Sequence, residues 1–146
     1  MWIVKPSYTA RGLGIYCSNV LKEILQVGKK SQSKIVQKYI ERPFLINRKK
    51  FDIRQWVLVS SWEPLDVYVF STAYLRLCTE EYSIHDLSDA LKHLSNFSVQ
   101  KKSEDDVESF VMSIPEFEVY LEKPGVWQND LLPKVSDAIF KTLKGV

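Results

Sequence analysis

The sequence predicts an α+β fold, an antiparallel sheet with flanking helices. Strand-like runs crowd the first half of the chain and helix-periodic runs fill the second, an order that argues against a doubly wound parallel sheet. The glycine signatures of the common nucleotide-binding folds are also missing. There is no GxxxxGK[ST], and RGLGI at 11–15 lacks the third glycine of GxGxxG. At 146 residues and 45% hydrophobic content the chain can bury one sizeable core, in one or two lobes.

Trp2 to Lys5 is a short apolar run that stops at Pro6, as a strand does at a breaker. Ser7 to Gly14 is a polar, glycine-bearing loop, and Ile15 to Cys17 can pair back as a hairpin. Ser18 or Asn19 can cap a helix with Val20, Leu21, Ile24 and Leu25 on one face, and Gly28 ends it. Lys34 to Ile40 alternates like a strand up to the break at Pro43. Phe51 to Ser60 is a long strand with Ile53, Val57 and Val59 apolar, followed by a turn at Trp62-Glu63-Pro64. Leu65 to Phe70 and Ala73 to Cys78 are expected as two further strands of a meander. Residues 80 to 102 read as irregular. Glu104 to Met112 opens with acids, as a short amphipathic helix would. Pro115 to Glu122 is expected to be helical with its proline in the first turn. Leu131 to Leu143 repeats apolar residues at Leu132, Val135, Ala138, Ile139 and Leu143, with Gly145 beyond.

The bulk properties narrow the class. A formal net charge of +2 is nearly balanced, and the cations cluster at Lys29-Lys30, Arg48-Lys49-Lys50 and Lys101-Lys102. Such clusters attract an acidic partner or serve as solvated faces. Cys17 and Cys78 are too few for a disulfide framework or a zinc site and fit a reducing compartment. No window approaches the ~18 apolar residues of a membrane span. Met1 runs straight into a strand-like segment with no secretory leader, so the chain is expected to begin inside a domain, as a fragment would.

The residues with chemical potential sit on strand ends and in the glycine loop. Gly12 and Gly14 flank one residue, so the loop backbone can approach phosphate oxygens, or can simply be a hairpin turn. Lys5 and Arg11 add cations beside it. Gln37 and Lys38 lie on an amphipathic strand whose backbone can meet a base edge. Lys50, Asp52 and Arg54, two apart, leave one face of a strand. They form either an ionic ladder or the floor of a nucleotide site. Arg76 stands between Leu75 and Leu77, and two guanidiniums on neighbouring strands suit a transferring phosphoryl group. His93, Ser95 and Asn96 offer hydrogen bonds to a ribose or a triphosphate. No local signature of a Ser-His-Asp or Cys-His relay is present.

In this order and spacing, WIVKP, RGLGI, VQKYI, KFDIR, YLR and HLSN resemble the tubulin–tyrosine ligase-like family of ATP-grasp amino-acid ligases. The resemblance covers Trp2 to Lys101, with a weaker continuation to Leu143. RQWVLVSSWEPLDVYVF and HLSNFSVQK are most similar to the glycylase branch, especially its initiating members. The resemblance implies an ATP-grasp-like fold and a ligase that uses ATP and Mg²⁺ to join free glycine to glutamate side chains in acidic tubulin tails. A glutamylase of the same family, or an inactive fragment that binds nucleotide or tubulin, is the alternative. By the family pattern, Lys5, Arg11, Gly12, Gly14 and Ile15 would meet the phosphates, and Gln37, Lys38 and Ile40 the adenine. Lys50 and Asp52 would meet the ribose and its surroundings, Arg54 and Arg76 the γ-phosphate and acyl-phosphate, and His93, Ser95 and Asn96 would complete the site. The family's magnesium ligands, an Asp and a Glu-x-Asn pair, follow the last helix seen here, and no such segment follows Leu143. Glu104, Asp105 and Asp106 are poor substitutes. The resemblance therefore implies a partial catalytic domain over residues 1–146, inactive by itself, in a cytoplasmic protein of the cytoskeleton, cilium or flagellar axoneme. Neither nucleic acid nor membrane is expected as a partner.

Overall fold

A computed structural model of the chain describes residues 1–27, 33–101 and 110–145. Gly28, the Lys29-Lys30 cluster, Lys102 and the acids Glu104, Asp105 and Asp106 lie outside the described residues. The chain divides into two compact units, Met1–Asp52 with Arg76–Phe110, and Ile53–Leu75 with Val111–Val146. The fold is mixed helix and antiparallel sheet, as the order of segments predicted.

The first unit is built on a small antiparallel sheet ordered β2-β1-β3. Its strands are β1 (Trp2–Pro6), β2 (Tyr16–Ser18) and β3 (Lys34–Lys38). Val4 pairs with Tyr16 on one side and Val36 on the other and has no exposed surface. Helix α1 (Leu21–Val27) follows β2, and the Ser18 hydroxyl accepts from the Val20 N–H at 3.1 Å, a turn just ahead of the helix and not the expected N-cap, since Val20 precedes the first helical residue. The Ser18 hydroxyl itself donates to Glu23 at 2.7 Å.

Residues 80–101 are not irregular throughout. They contain α2 (Ala90–His93) and α3 (Phe97–Gln100), four residues each and too short to show a period. Asp89 caps α2 through the Leu91 N–H at 3.0 Å. What holds the pair together is Gln100, fully buried. Its Oε1 accepts from the Thr79 N–H at 2.8 Å and the Thr79 hydroxyl at 2.7 Å. Its Nε2 donates to the Leu91 and Leu94 carbonyls at 3.2 and 2.6 Å. A buried amide with both ends satisfied ties the segment after the second long strand to α2.

The second sheet is ordered β4-β5-β6, with β4 (Phe51–Trp62), β5 (Leu65–Leu77) and β6 (Val111–Ser113). The expected break at Ser71-Thr72 does not occur, because β5 runs unbroken through it. Val111 and Met112, expected at a helix end, instead form β6. Helix α4 (Ile114–Leu121) begins with a full capping box. Ser113 Oγ accepts from the Glu116 N–H, while Glu116 accepts from the Ser113 N–H at 2.7 Å. Such a cap contributes about 1 kcal/mol. A π-helical turn (Trp127–Leu131), invisible in the sequence pattern, precedes α5 (Leu132–Lys144). The Glu118 carboxylate accepts from the Gly125 and Trp127 N–H groups at 3.0 and 2.9 Å, supplying the negative charge that a helix start favours.

Candidate functional site

The cationic residues singled out in the first unit fall into separate groups. Lys5 Nζ donates to Gln37 Oε1 at 2.9 Å across β1 and β3, a diagonal contact set by Ile3 opposite Gln37 and Lys5 opposite Ile35. Lys38 turns to the strand end, donating to the Met1 carbonyl at 3.3 Å and to Glu41. Lys38 holds the Glu41 carboxyl down at about 2. Within its sheet β3 is an edge strand, so one row of its backbone groups is unpaired there. Ile40, just beyond, is exposed.

The Arg48-Lys49-Lys50 run is not one solvated cluster. Arg48 is exposed and pairs with Glu81 at 2.8 Å, while Lys50 points inward. The Lys50 ammonium donates to the Tyr39 hydroxyl at 3.0 Å and to the His93 carbonyl at 3.1 Å, and stands 4.6 Å from the Tyr39 ring centroid. Burial pushes its pKa down.

Asp52 does not stand free. Arg76 Nε and one terminal nitrogen donate to its two oxygens at 2.8 and 2.5 Å, a bidentate fork from the neighbouring strand. The Lys50-Asp52-Arg54 row is not a self-paired ladder, because the acid's partner is Arg76 of the neighbouring strand and not Lys50 or Arg54. Arg54 belongs to the second unit, where its guanidinium carbon lies 5.2 Å from the Trp56 ring.

The glycine loop is shaped by backbone conformation. Arg11, Gly12 and Gly14 have φ of 60°, 79° and 72°, a region that glycine enters freely and arginine at a cost. A Cβ on Gly14 would stand 3.0 Å from Pro6, and one on Gly12 would stand 3.1 Å from Val99. The Arg11 carbonyl accepts from the Ser98 hydroxyl at 3.0 Å, which pins the loop to α3. Leu13 and Ile15 spend their N–H groups inside the loop, on the Ala10 and Gly12 carbonyls. A cleft of about 490 Å³ lies here, its lining including Arg11 through Ile15, Leu94, Ser98 and Lys101. Lys5, Gln37 and Lys50 do not line it.

His93 is not the open hydrogen-bonding group its sequence context implied. It is 5% exposed, with Nδ1 2.8 Å from the Tyr39 hydroxyl and Nε2 2.7 Å from the Asp86 carbonyl oxygen. Both ring nitrogens are taken up inside the protein. Ser95 and Asn96 lie between α2 and α3, and Asn96 Oδ1 is 3.6 Å from where a Gly12 Cβ would be. Tyr39, inside VQKYI, was not singled out by the sequence reading, and it is the residue that joins Lys50 to His93.

Burial pushes the Cys78 thiol up to about 12 and raises the Tyr39 hydroxyl. A raised acid is neutral in the fold where the unfolded chain has begun to ionise. Its stabilisation is complete below the ordinary value of 9.0 and is lost as pH climbs toward about 12. Lys50 acts in the opposite sense, because its desolvation cost is relieved as pH rises. The thiol is isolated by comparing wild type with Cys78→Ala in urea unfolding from about pH 8 to about pH 11. The stability advantage of wild type is expected to narrow with pH. A constant gap would show that the thiol does not titrate this way.

Among the described residues no three His, Cys, Asp or Glu side chains gather where a metal ion could be held. No helix among them is long and apolar enough to cross a membrane.

An inward lysine, an arginine–aspartate fork and a left-handed glycine loop concentrate charged and hydrogen-bonding groups in the first unit. The chain belongs to the tubulin-tyrosine ligase family, which it matches over residues 1–145. It is 42% identical over 156 residues to tubulin glycylase 3E of Tetrahymena thermophila, covering 99% of this chain and 11% of that protein. It is 36% identical over 160 residues to human tubulin monoglycylase TTLL3, covering 99% of this chain and 21% of that protein. Human protein monoglycylase TTLL8 is also 36% identical over 160 residues, with 99% and 19% covered. The chain thus spans between about a tenth and a fifth of the length of these relatives.

Proposed function

We propose that this chain is part of the catalytic domain of an ATP-dependent ligase that joins glycine to glutamate side chains of tubulin. The observation that carries the reading is the match of nearly the whole chain to proteins named tubulin glycylase and monoglycylase. In the proposed reaction a glutamate carboxylate attacks the γ-phosphorus of ATP, giving an acyl-phosphate and ADP. The amine of glycine then attacks the acyl carbon, an amide forms, and phosphate leaves with the electron pair of the broken C–O bond.

Positioning and charge neutralisation do most of the work in phosphoryl transfer. The Lys5–Gln37 contact, the inward Lys50 and the close-packed glycine loop fit a nucleotide triphosphate. Lys5 and Lys50 supply positive charge to the phosphates, and the outer backbone edge of β3 at Gln37 and Lys38, with Ile40 just beyond, is suited to an adenine edge. Arg76, oriented by Asp52, presents a guanidinium to the group in transfer. Ser95 and Asn96, beside Gly12, contribute hydrogen-bonding groups. Magnesium, when bound, would supply further positive charge to the phosphates, and the described residues offer no ligand set for it.

Incubating the full-length parent with tubulin, ATP and labelled glycine tests the reading. ATP-dependent incorporation of glycine, with one ADP released per glycine, is the expected result. Incorporation of labelled glutamate in place of glycine would make the protein a glutamylase, and incorporation of neither would overturn the ligase reading.

A further inference from the structure

We propose that His93 is a positioning residue which, acting through Tyr39, aims the Lys50 ammonium at its ligand. The proposal rests on the nucleotide reading above in taking that ligand to be an ATP phosphate. The argument starts from which atoms can donate. The Asp86 carbonyl oxygen only accepts, so the His93 nitrogen 2.7 Å away, Nε2, carries the ring proton. In the neutral ring Nδ1 is then a lone-pair acceptor. The Tyr39 hydroxyl, 2.8 Å from Nδ1, donates to it. The Tyr82 hydroxyl, whose own proton goes to the Glu41 carbonyl at 2.8 Å, offers the Tyr39 proton a second acceptor, but the imidazole lone pair of Nδ1 is the more basic of the two and takes it. The Tyr39 oxygen, its proton directed to His93, accepts from Lys50 at 3.0 Å.

His93 therefore holds Lys50 twice, through Tyr39 and through its own carbonyl at 3.1 Å. An ammonium has three donors. These two bonds occupy two of them and fix the direction of the third. A half-buried cation with one directed N–H left over among the described residues suits an anionic oxygen, and its desolvation is offset when that oxygen arrives. The ring cannot turn to undo the arrangement. Tyr39 and Tyr82 meet it edge-on, with centroids 5.9 and 5.4 Å away and planes at 69° and 78°.

Isosteric variants in the full-length parent separate positioning from packing. Tyr39→Phe keeps the ring and removes the hydroxyl. His93→Gln places an amide near the Nε2 position and abandons Tyr39, whereas His93→Asn places an acceptor near the Nδ1 position and abandons Asp86. Tyr39→Phe and His93→Gln are expected to raise KM for ATP about tenfold with kcat nearly unchanged, the scale of one charge-assisted hydrogen bond. His93→Asn is expected to restore most of that affinity even if its melting temperature falls as far as that of His93→Gln. A merely structural histidine would make affinity follow melting temperature in all three, and that result would overturn the proposal. The tautomer is read independently of nucleotide by long-range proton–nitrogen NMR of the histidine rings. A proton on Nε2 is expected, and one on Nδ1 would overturn the relay. Failure of wild-type protein to bind ATP would instead overturn the nucleotide reading, and with it the ligand to which the relay is assigned.

Discussion

Arg76→Ala in the full-length parent is expected to lower ATP-dependent glycine transfer by about 10²–10³-fold, the scale for losing one donor to charge that develops in a transition state. The structure adds a second consequence. Arg76 is bonded through two nitrogens to Asp52, so its removal leaves a carboxylate without those partners and lowers the melting temperature as well. The two effects separate in Asp52→Asn, which loses the ion pair but keeps the guanidinium. If Arg76 meets the transferring phosphoryl group, Asp52→Asn retains much more turnover than Arg76→Ala at a comparable loss of stability. If the pair is only a brace, the two variants lose turnover equally and the double variant is no worse than either. Arg76→Lys is expected to rescue weakly in both cases, because an ammonium cannot reproduce the planar fork. Wild-type turnover in Arg76→Ala would end the catalytic assignment.

Trp127→Ala is expected to cost about 3–5 kcal/mol of unfolding free energy, the range for emptying a buried indole site. Trp127 is 1% exposed, and its Nε1 donates to the Ser71 carbonyl at 2.9 Å. That carbonyl also accepts from Gln128 Nε2 at 3.1 Å, so it keeps a partner when the indole is removed. The cost thus comes mainly from lost packing, and Trp127→Phe, which refills much of the space, should cost well under half as much. Urea unfolding followed by circular dichroism checks both. An alanine variant within about 1 kcal/mol of wild type would show that the site collapses around the gap.

Several parts of the fold were legible in consecutive residues. The run Trp2 to Pro6 carries its own stop, and the alternation of Ile53, Val57 and Val59 with exposed Trp56 and Leu58 is that of β4. The first-turn proline of α4 and the apolar spacing of α5 were likewise local signals. The order of WIVKP, RGLGI, VQKYI, KFDIR and HLSN was enough to identify the family before any geometry was known.

Other features depended on residues far apart in sequence. Ser71 and Thr72 resemble a turn because they are small and polar, yet β5 passes through them with the Ser71 carbonyl bonded to Trp127 and Gln128. His93 looked like a free ligand because its partner Tyr39 lies 54 residues away. Strand parity placed Asp52 and Lys50 on one face, but only the pairing of β4 with β5 delivered Arg76 to Asp52, 24 residues on. Periodicity is a property of neighbouring residues, so the sequence by itself determined the longer periodic elements such as β4 and α5, their faces and the family. Which proton goes to which acceptor depends on the register and burial of distant segments, and that the tertiary structure alone decided.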